Sequence, residues 1–284
     1  MIYDFILVSD AHVFYREAGE KNQPVLVLLH GFPSSSHMFA GLMDRLREQY
    51  HVIAFDFPGF GQSDLPAREE FVYSLDHFEE IIVKCLERLN VKKCFLYGFD
   101  CGASVALRML KRHKELVQGI IIQNQTIYEE TLLNKDFMEL EKEPDEETLS
   151  SFSKKYQPAA LFARYAQGNR KFTAVSPDTY TLDIYYAQRR GFDEVQIDLA
   201  RDEQNTYQDA GKYRKLLKDV PLLVFESDRD AQIDGERALE LFRKDFNTAR
   251  CVLLKDAGHY ALEISLDTVC RELSAFIQEV MQRS

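Results

Sequence analysis

The chain has 284 residues, 45% hydrophobic and 29% charged, with 46 acidic residues against 35 basic ones and a formal net charge of −11. Such a charge opposes attraction to phosphates and no basic stripe offsets it, which excludes nucleic acid as a partner. The apolar runs all fall short of the roughly 20 residues that span a bilayer, which excludes membrane insertion, and the length suits one large α/β core carrying an insertion.

The N-terminal Met1-Ile2-Tyr3-Asp4 lacks the basic segment, apolar core and small-residue cleavage site of a signal peptide, so a cytoplasmic chain is expected. Five cysteines (Cys85, Cys94, Cys101, Cys251 and Cys270) are an odd number without CxxC or metal-ligand spacing and read as reduced thiols.

Short β-rich runs then alternate with amphipathic segments, the pattern of a mostly parallel sheet covered on both faces. The expected strands are Val25 to Leu29, Val52 to Phe55, Cys94 to Tyr97, Ile120 to Ile122, Leu222 to Phe225 and Val252 to Leu254. A helix is predicted from about Leu75 to Asn90, where Phe78, Ile81, Ile82, Cys85, Leu86 and Leu89 recur on one face. Val269, Leu273, Phe276, Ile277 and Val280 mark a closing helix in the same way.

Each expected strand leads into a loop of distinct chemistry. After the first comes His30-Gly31-Phe32-Pro33. After the second comes the Gly- and Pro-rich turn Asp56-Phe57-Pro58-Gly59-Phe60-Gly61-Gln62-Ser63-Asp64, read as structural. The third leads into Gly98-Phe99-Asp100-Cys101-Gly102 and a helical pattern at Ala103, Ala106, Leu107 and Leu110: strand, sharp turn, helix, with an exposed nucleophile between small residues. A serine attacking saturated carbon would be left as a stable ether. A carboxylate forms an alkyl ester whose acyl carbon is its own, so activated water can regenerate it. Small hydrophobic epoxides or alkyl halides are the expected substrates.

Between Tyr128 and Tyr213 the alternation stops, and charged helical text gives way to aromatics with Pro158, Gly168 and Pro177. A mainly helical cap is expected at 128–213, inserted into a core formed by 1–127 and 214–284. The acidic run from Glu139 to Glu147 reads as a solvated face and turn. Further on, the fifth strand is followed by Glu226-Ser227-Asp228-Arg229-Asp230 and the sixth by Asp256-Ala257-Gly258-His259-Tyr260.

Taken together these segments resemble the α/β-hydrolases, and within them the epoxide hydrolase and haloalkane dehalogenase group. The resemblance covers about 1–127 and 214–284 and implies the α/β-hydrolase fold. It implies Asp100 as nucleophile, Asp230 as acid with Asp228 the weaker candidate, and His259 as base. The backbone N–H groups of Phe32 and Cys101 would form the oxyanion hole, with His30 a structural residue beside it. The alternative acid position found in some relatives reads Gln123-Asn124-Gln125, without a carboxylate.

Dehalogenases of this group cradle the departing halide with a tryptophan beside the nucleophile plus a second tryptophan or an asparagine near the oxyanion turn. This chain has no tryptophan, and Phe32 and Cys101 occupy the expected donor positions. Fluoroacetate dehalogenases place arginines just after the nucleophile, where this chain has Cys101 and Ser104. Epoxide hydrolases instead lower cap tyrosines over the nucleophile. Tyr207 matches one such tyrosine; Tyr165 is the candidate for the other, with Tyr128, Tyr156 and Tyr180 as rivals. The resulting expectation is an epoxide hydrolase without metal or organic cofactor. The alternatives are a haloalkane dehalogenase and a non-catalytic ligand-binding protein, while the lack of Gly-x-Ser-x-Gly weakens an ordinary esterase.

Overall fold

Eight strands and ten α-helices follow one another in a computed structural model that describes residues 1–140 and 145–283. β1 (Ile2–Val8) and β2 (Ala11–Ala18) form a hairpin. β3 (Val25–Leu29), α1 (Ala40–Leu46), β4 (His51–Phe55), α2 (Leu75–Arg88), β5 (Cys94–Phe99), α3 (Cys101–Arg112) and β6 (Val117–Gln123) then alternate. Five helices come next: α4 (Glu146–Lys154), α5 (Pro158–Ala166), α6 (Pro177–Ala187), α7 (Phe192–Gln208) and α8 (Ala210–Leu216). The chain closes with β7 (Leu222–Ser227), α9 (Gly235–Asp245), β8 (Arg250–Leu254) and α10 (Leu266–Arg283).

The strands join one sheet in the order β1-β2-β4-β3-β5-β6-β7-β8. β2 runs antiparallel to both neighbours and the other pairs are parallel. Alternate strand residues serve opposite faces. Leu26, Leu28, Phe95 and Tyr97 pack with Leu42 of α1 and Leu273 of α10, whereas Val27, Leu29 and Leu96 pack with Ile82 of α2 and Leu107 of α3. Phe78, Ile81, Ile82 and Leu86 give α2 its buried stripe, each contributing about 1.5–3 kcal/mol of apolar burial.

The six expected strands are all present, β3 with the expected bounds and the other five with longer ends. The hairpin is the addition, and its physical reason is plain: Ile2, Tyr3, Phe5 and Leu7 lie about half exposed on the edge strand. The apolar residues of β1 therefore do not alternate with polar ones. The interval between β6 and β7 holds α4 to α8 in place of strands. Part of the acidic run, 141–144, lies outside the described residues; at its end Asp145 caps α4 by accepting the Thr148 N–H at 2.8 Å. Among the described residues no helix is long and apolar enough to cross a membrane.

The strand order reverses direction between β3 and β5, and the crevice outside the carboxyl ends of such strands is where open α/β sheets bind ligands. The loops carrying Phe32 and Asp100 leave the sheet at that point.

Candidate active site

Asp100 stands between β5 and α3 with φ 50° and ψ −131°, a left-handed conformation costly for a residue with a side chain. Tight packing enforces it. A Cβ on Gly98 would lie 2.3 Å from Ala103 Cα, and one on Gly102 would lie 2.2 Å from the Leu29 carbonyl oxygen. Strand and helix thus approach so closely that only glycine fits, and the Asp100 side chain is held out from the turn.

The loop after β3 arrives alongside. The Phe32 N–H donates to Asp100 Oδ2 at 3.0 Å. Cys101 opens α3, where first-turn amides lack intrahelical acceptors and the helix end is positive. His30 braces this loop from beneath: its Nε2 accepts the Phe57 N–H at 3.0 Å, and burial lowers its pKa to about 3, leaving the ring neutral. The Tyr260 hydroxyl donates to the Phe32 carbonyl at 2.9 Å.

From the loop after β8, His259 places Nδ1 2.7 Å from Asp230 Oδ2. Asn124 Nδ2 donates to the same oxygen at 2.9 Å, and the Gln232 N–H donates to Oδ1 at 2.8 Å. Burial would raise the Asp230 pKa, but His259 and these two donors outweigh it and hold the carboxyl below its ordinary value. Asp228, the other acid considered, accepts instead from the Ala257 N–H at 3.3 Å and faces Lys255.

His259 Nε2 is buried without a hydrogen-bond partner and sits 3.9 Å from Asp100 Oδ2, an ion-pair separation. Burial alone would lower its pKa; the flanking carboxylates of Asp230 and Asp100 overcome that and raise it to about 10. Asp100, His259 and Asp230 are thereby in one line of contact.

Above them is a cavity of about 150 Å³ bordered by Asp100, His259, Phe32, Tyr156, Glu203 and Tyr207. Tyr207 on α7 donates its hydroxyl to Gln125 Oε1 at 3.0 Å. Gln125 Nε2 donates to Glu203 Oε1 at 3.0 Å, and Ser104 Oγ donates to the same oxygen at 2.6 Å, so the amide orientation is fixed. Burial pushes Glu203 up to about 8 against the opposing pull of Arg108 and Ser104. Neither Gln125 nor Glu203 stands out in the sequence; the usable signal is the i, i+4 spacing of Glu203 and Tyr207, which puts both on one face of α7.

Tyr165 does not border this cavity. It is buried on the inner face of α5, its hydroxyl donates to Asp183, and its ring stacks on Tyr260 with centroids 4.2 Å apart. Tyr128 is bound to Asp245, and Tyr180 packs on Phe172. Of the rivals only Tyr156 reaches the cavity wall.

Residues 24–265 match the family model described as the alpha/beta hydrolase fold, and the chain belongs to that family. It is 34% identical over 275 residues to an uncharacterized hydrolase of Saccharomyces cerevisiae, covering 94% of this chain and 93% of that one. It is also 34% identical over 116 residues to epoxide hydrolase 4 of Mus musculus, covering 41% of this chain and 32% of the mouse protein. Among solved structures, a haloalkane dehalogenase loop variant from Bradyrhizobium elkanii shares the fold with a TM-score of 0.77 at 19% identity, covering 99% and 98% of the two chains.

Proposed function

We propose that this protein hydrolyses small hydrophobic epoxides to vicinal diols through an ester on Asp100. The observation that carries the reading is a carboxylate at the elbow with a histidine nitrogen, otherwise unpartnered, 3.9 Å away. An Asp100 oxygen attacks an oxirane carbon, the carbon–oxygen bond breaks, and the alkoxide takes a proton from Tyr207. Glu203 acts as a positioning residue: by fixing Gln125 it fixes the hydrogen bond that aims the Tyr207 hydroxyl.

Forming the ester removes the charge of Asp100, and with it one of the two carboxylates that keep His259 protonated. The phenolate left on Tyr207 takes up the proton the ring releases, and the ring becomes a base as the second step begins. Nε2 then takes a proton from water while the hydroxide adds to the ester carbonyl, and the Phe32 and Cys101 amides hold the oxyanion. Collapse breaks the bond between the Asp100 acyl carbon and the alkyl oxygen, which takes the proton held on Nε2 and leaves as the diol; the new carboxylic acid returns a proton to the ring, and Asp100 keeps the oxygen from water.

In this reading 128–213 is a cap over a core of 1–127 and 214–284, supported by the presence of Tyr156, Glu203 and Tyr207 on the cavity wall. The five free cysteines fit a reducing, cytoplasmic setting.

The test is intact-protein mass spectrometry of a His259→Gln variant exposed to styrene oxide and, separately, to 1-bromobutane, with peptide mapping. The expected result is an adduct of epoxide mass on Asp100. A butyl adduct there would move the assignment to a dehalogenase, and a folded variant without either adduct would refute the scheme.

A further inference from the structure

One charge on the cavity wall is unanswered. Of the cations that border the cavity, His259 is paired with Asp230 and Lys155 is neutralised by Asp136 at 2.7 Å, but Arg164 meets no carboxylate at ion-pair distance among the described residues. The acids of that wall are already engaged: Asp100 with the Phe32 amide and His259, Asp136 with Lys155, and Glu203 with Ser104 and Gln125.

Arg164 precedes Tyr165 on α5. Tyr165 turns inward to Asp183, which leaves Arg164 on the cavity side. It borders both the space over Asp100 and an adjoining one of about 230 Å³ that also touches His259, so it marks the junction of the two. Its guanidinium carbon lies 5.0 Å from the centroid of the Phe32 ring, and the Phe32 N–H grips the nucleophile.

Arg164 also hydrogen-bonds the Tyr260 hydroxyl, but a guanidinium has five N–H donors, and one set against a ring loses water from that face while its remaining N–H groups suit two parallel hydrogen bonds to a planar carboxylate. The amides of Asn134 and Gln232 border the same junction as neutral polar neighbours. With a net charge of −11 the chain as a whole repels anions, so a local cation is required if one is to bind.

We infer that the substrate carries a carboxylate, held by Arg164 while the reacting carbon faces Asp100. This rests on the site reading above for its reacting end; with that reading, the substrate is a compact epoxy acid.

Two measurements on the full chain test it separately. Calorimetry compares the unreactive 4-ethylbenzoate with 4-ethylbenzamide. The acid should bind at least about tenfold more tightly than the amide, with the ratio collapsing toward one in Arg164→Gln and partly restored in Arg164→Lys. Lack of preference in the unmodified protein, or a preference that survives Arg164→Gln, overturns the inference. Turnover is then compared for 4-(oxiran-2-yl)benzoate and its amide, where the acid should be favoured chiefly through KM. Selective acid binding without turnover of any epoxide would uphold the carboxylate site and overturn the epoxide reading. Equal turnover of acid and amide would do the reverse.

Discussion

Replacing Asp100 by asparagine should make His259 release its proton at much lower pH. The Oδ2 to Nε2 separation is 3.9 Å, which at an effective dielectric near 20 corresponds to about 4 kcal/mol, or about three pKa units. The Asp100 side chain is 23% exposed, so solvent screening trims this to about two. From its value of about 10 in the unmodified protein, His259 should therefore titrate near about 8 in Asp100→Asn.

The assay is NMR of ring-labelled histidine between pH 5 and 11, with His259 assigned by its absence in His259→Gln. Because the folded pKa is raised, the stability supplied by the protonated ring is full below its ordinary value of 6.5 and is lost as pH rises through about 10. Melting of Asp100→Asn should show that loss about two pH units earlier. Identical titration of His259 in both proteins would refute the coupling and, with it, the account of how the ring becomes a base.

Tyr207→Phe should slow epoxide opening by about 10²–10⁴-fold and leave hydrolysis of the ester unchanged in rapid-quench experiments; wild-type turnover would remove this tyrosine from the mechanism. Glu203 is raised by burial from 4.5 to about 8, so the stability of its neutral form is full below 4.5 and lost as pH rises through about 8. Glu203→Gln should accordingly flatten the fall in melting temperature across that window, and an unchanged slope would contradict the assignment. Gly102→Ala would press a Cβ to 2.2 Å from one carbonyl oxygen and 2.4 Å from the next. The expected cost is about 1–3 kcal/mol in urea unfolding together with lost turnover, and an alanine variant of full stability would show that the elbow is looser than its geometry.

The core strands and α2 were legible because they satisfy strong local periods: five buried residues in a row for β4, a clean helical stripe for α2. The β1–β2 hairpin was not, since an edge strand with apolar residues on its exposed face has no alternation to read. Asp100, His259 and Asp230 could be picked from loop order, yet the preference for Asp230 over Asp228 becomes geometric only with the loop folded. Asn124 carried the opposite lesson. In the sequence it counted merely as a missing carboxylate, whereas in the fold it donates to Asp230. Tyr165 and Arg164 are neighbours, and which of them faces the cavity depends on how α5 is rotated, a tertiary matter that composition does not encode.

The loop after β8 has a mechanical consequence. His259 and its successor Tyr260 reach in different directions, the ring toward Asp230 and the phenol to the Phe32 carbonyl at 2.9 Å. One dipeptide therefore bonds both to the Asp230 carboxylate and to the turn that carries Phe32. Displacing this loop would disturb both contacts at once, the one that orients the ring and the one that braces the turn whose amide donates to Asp100.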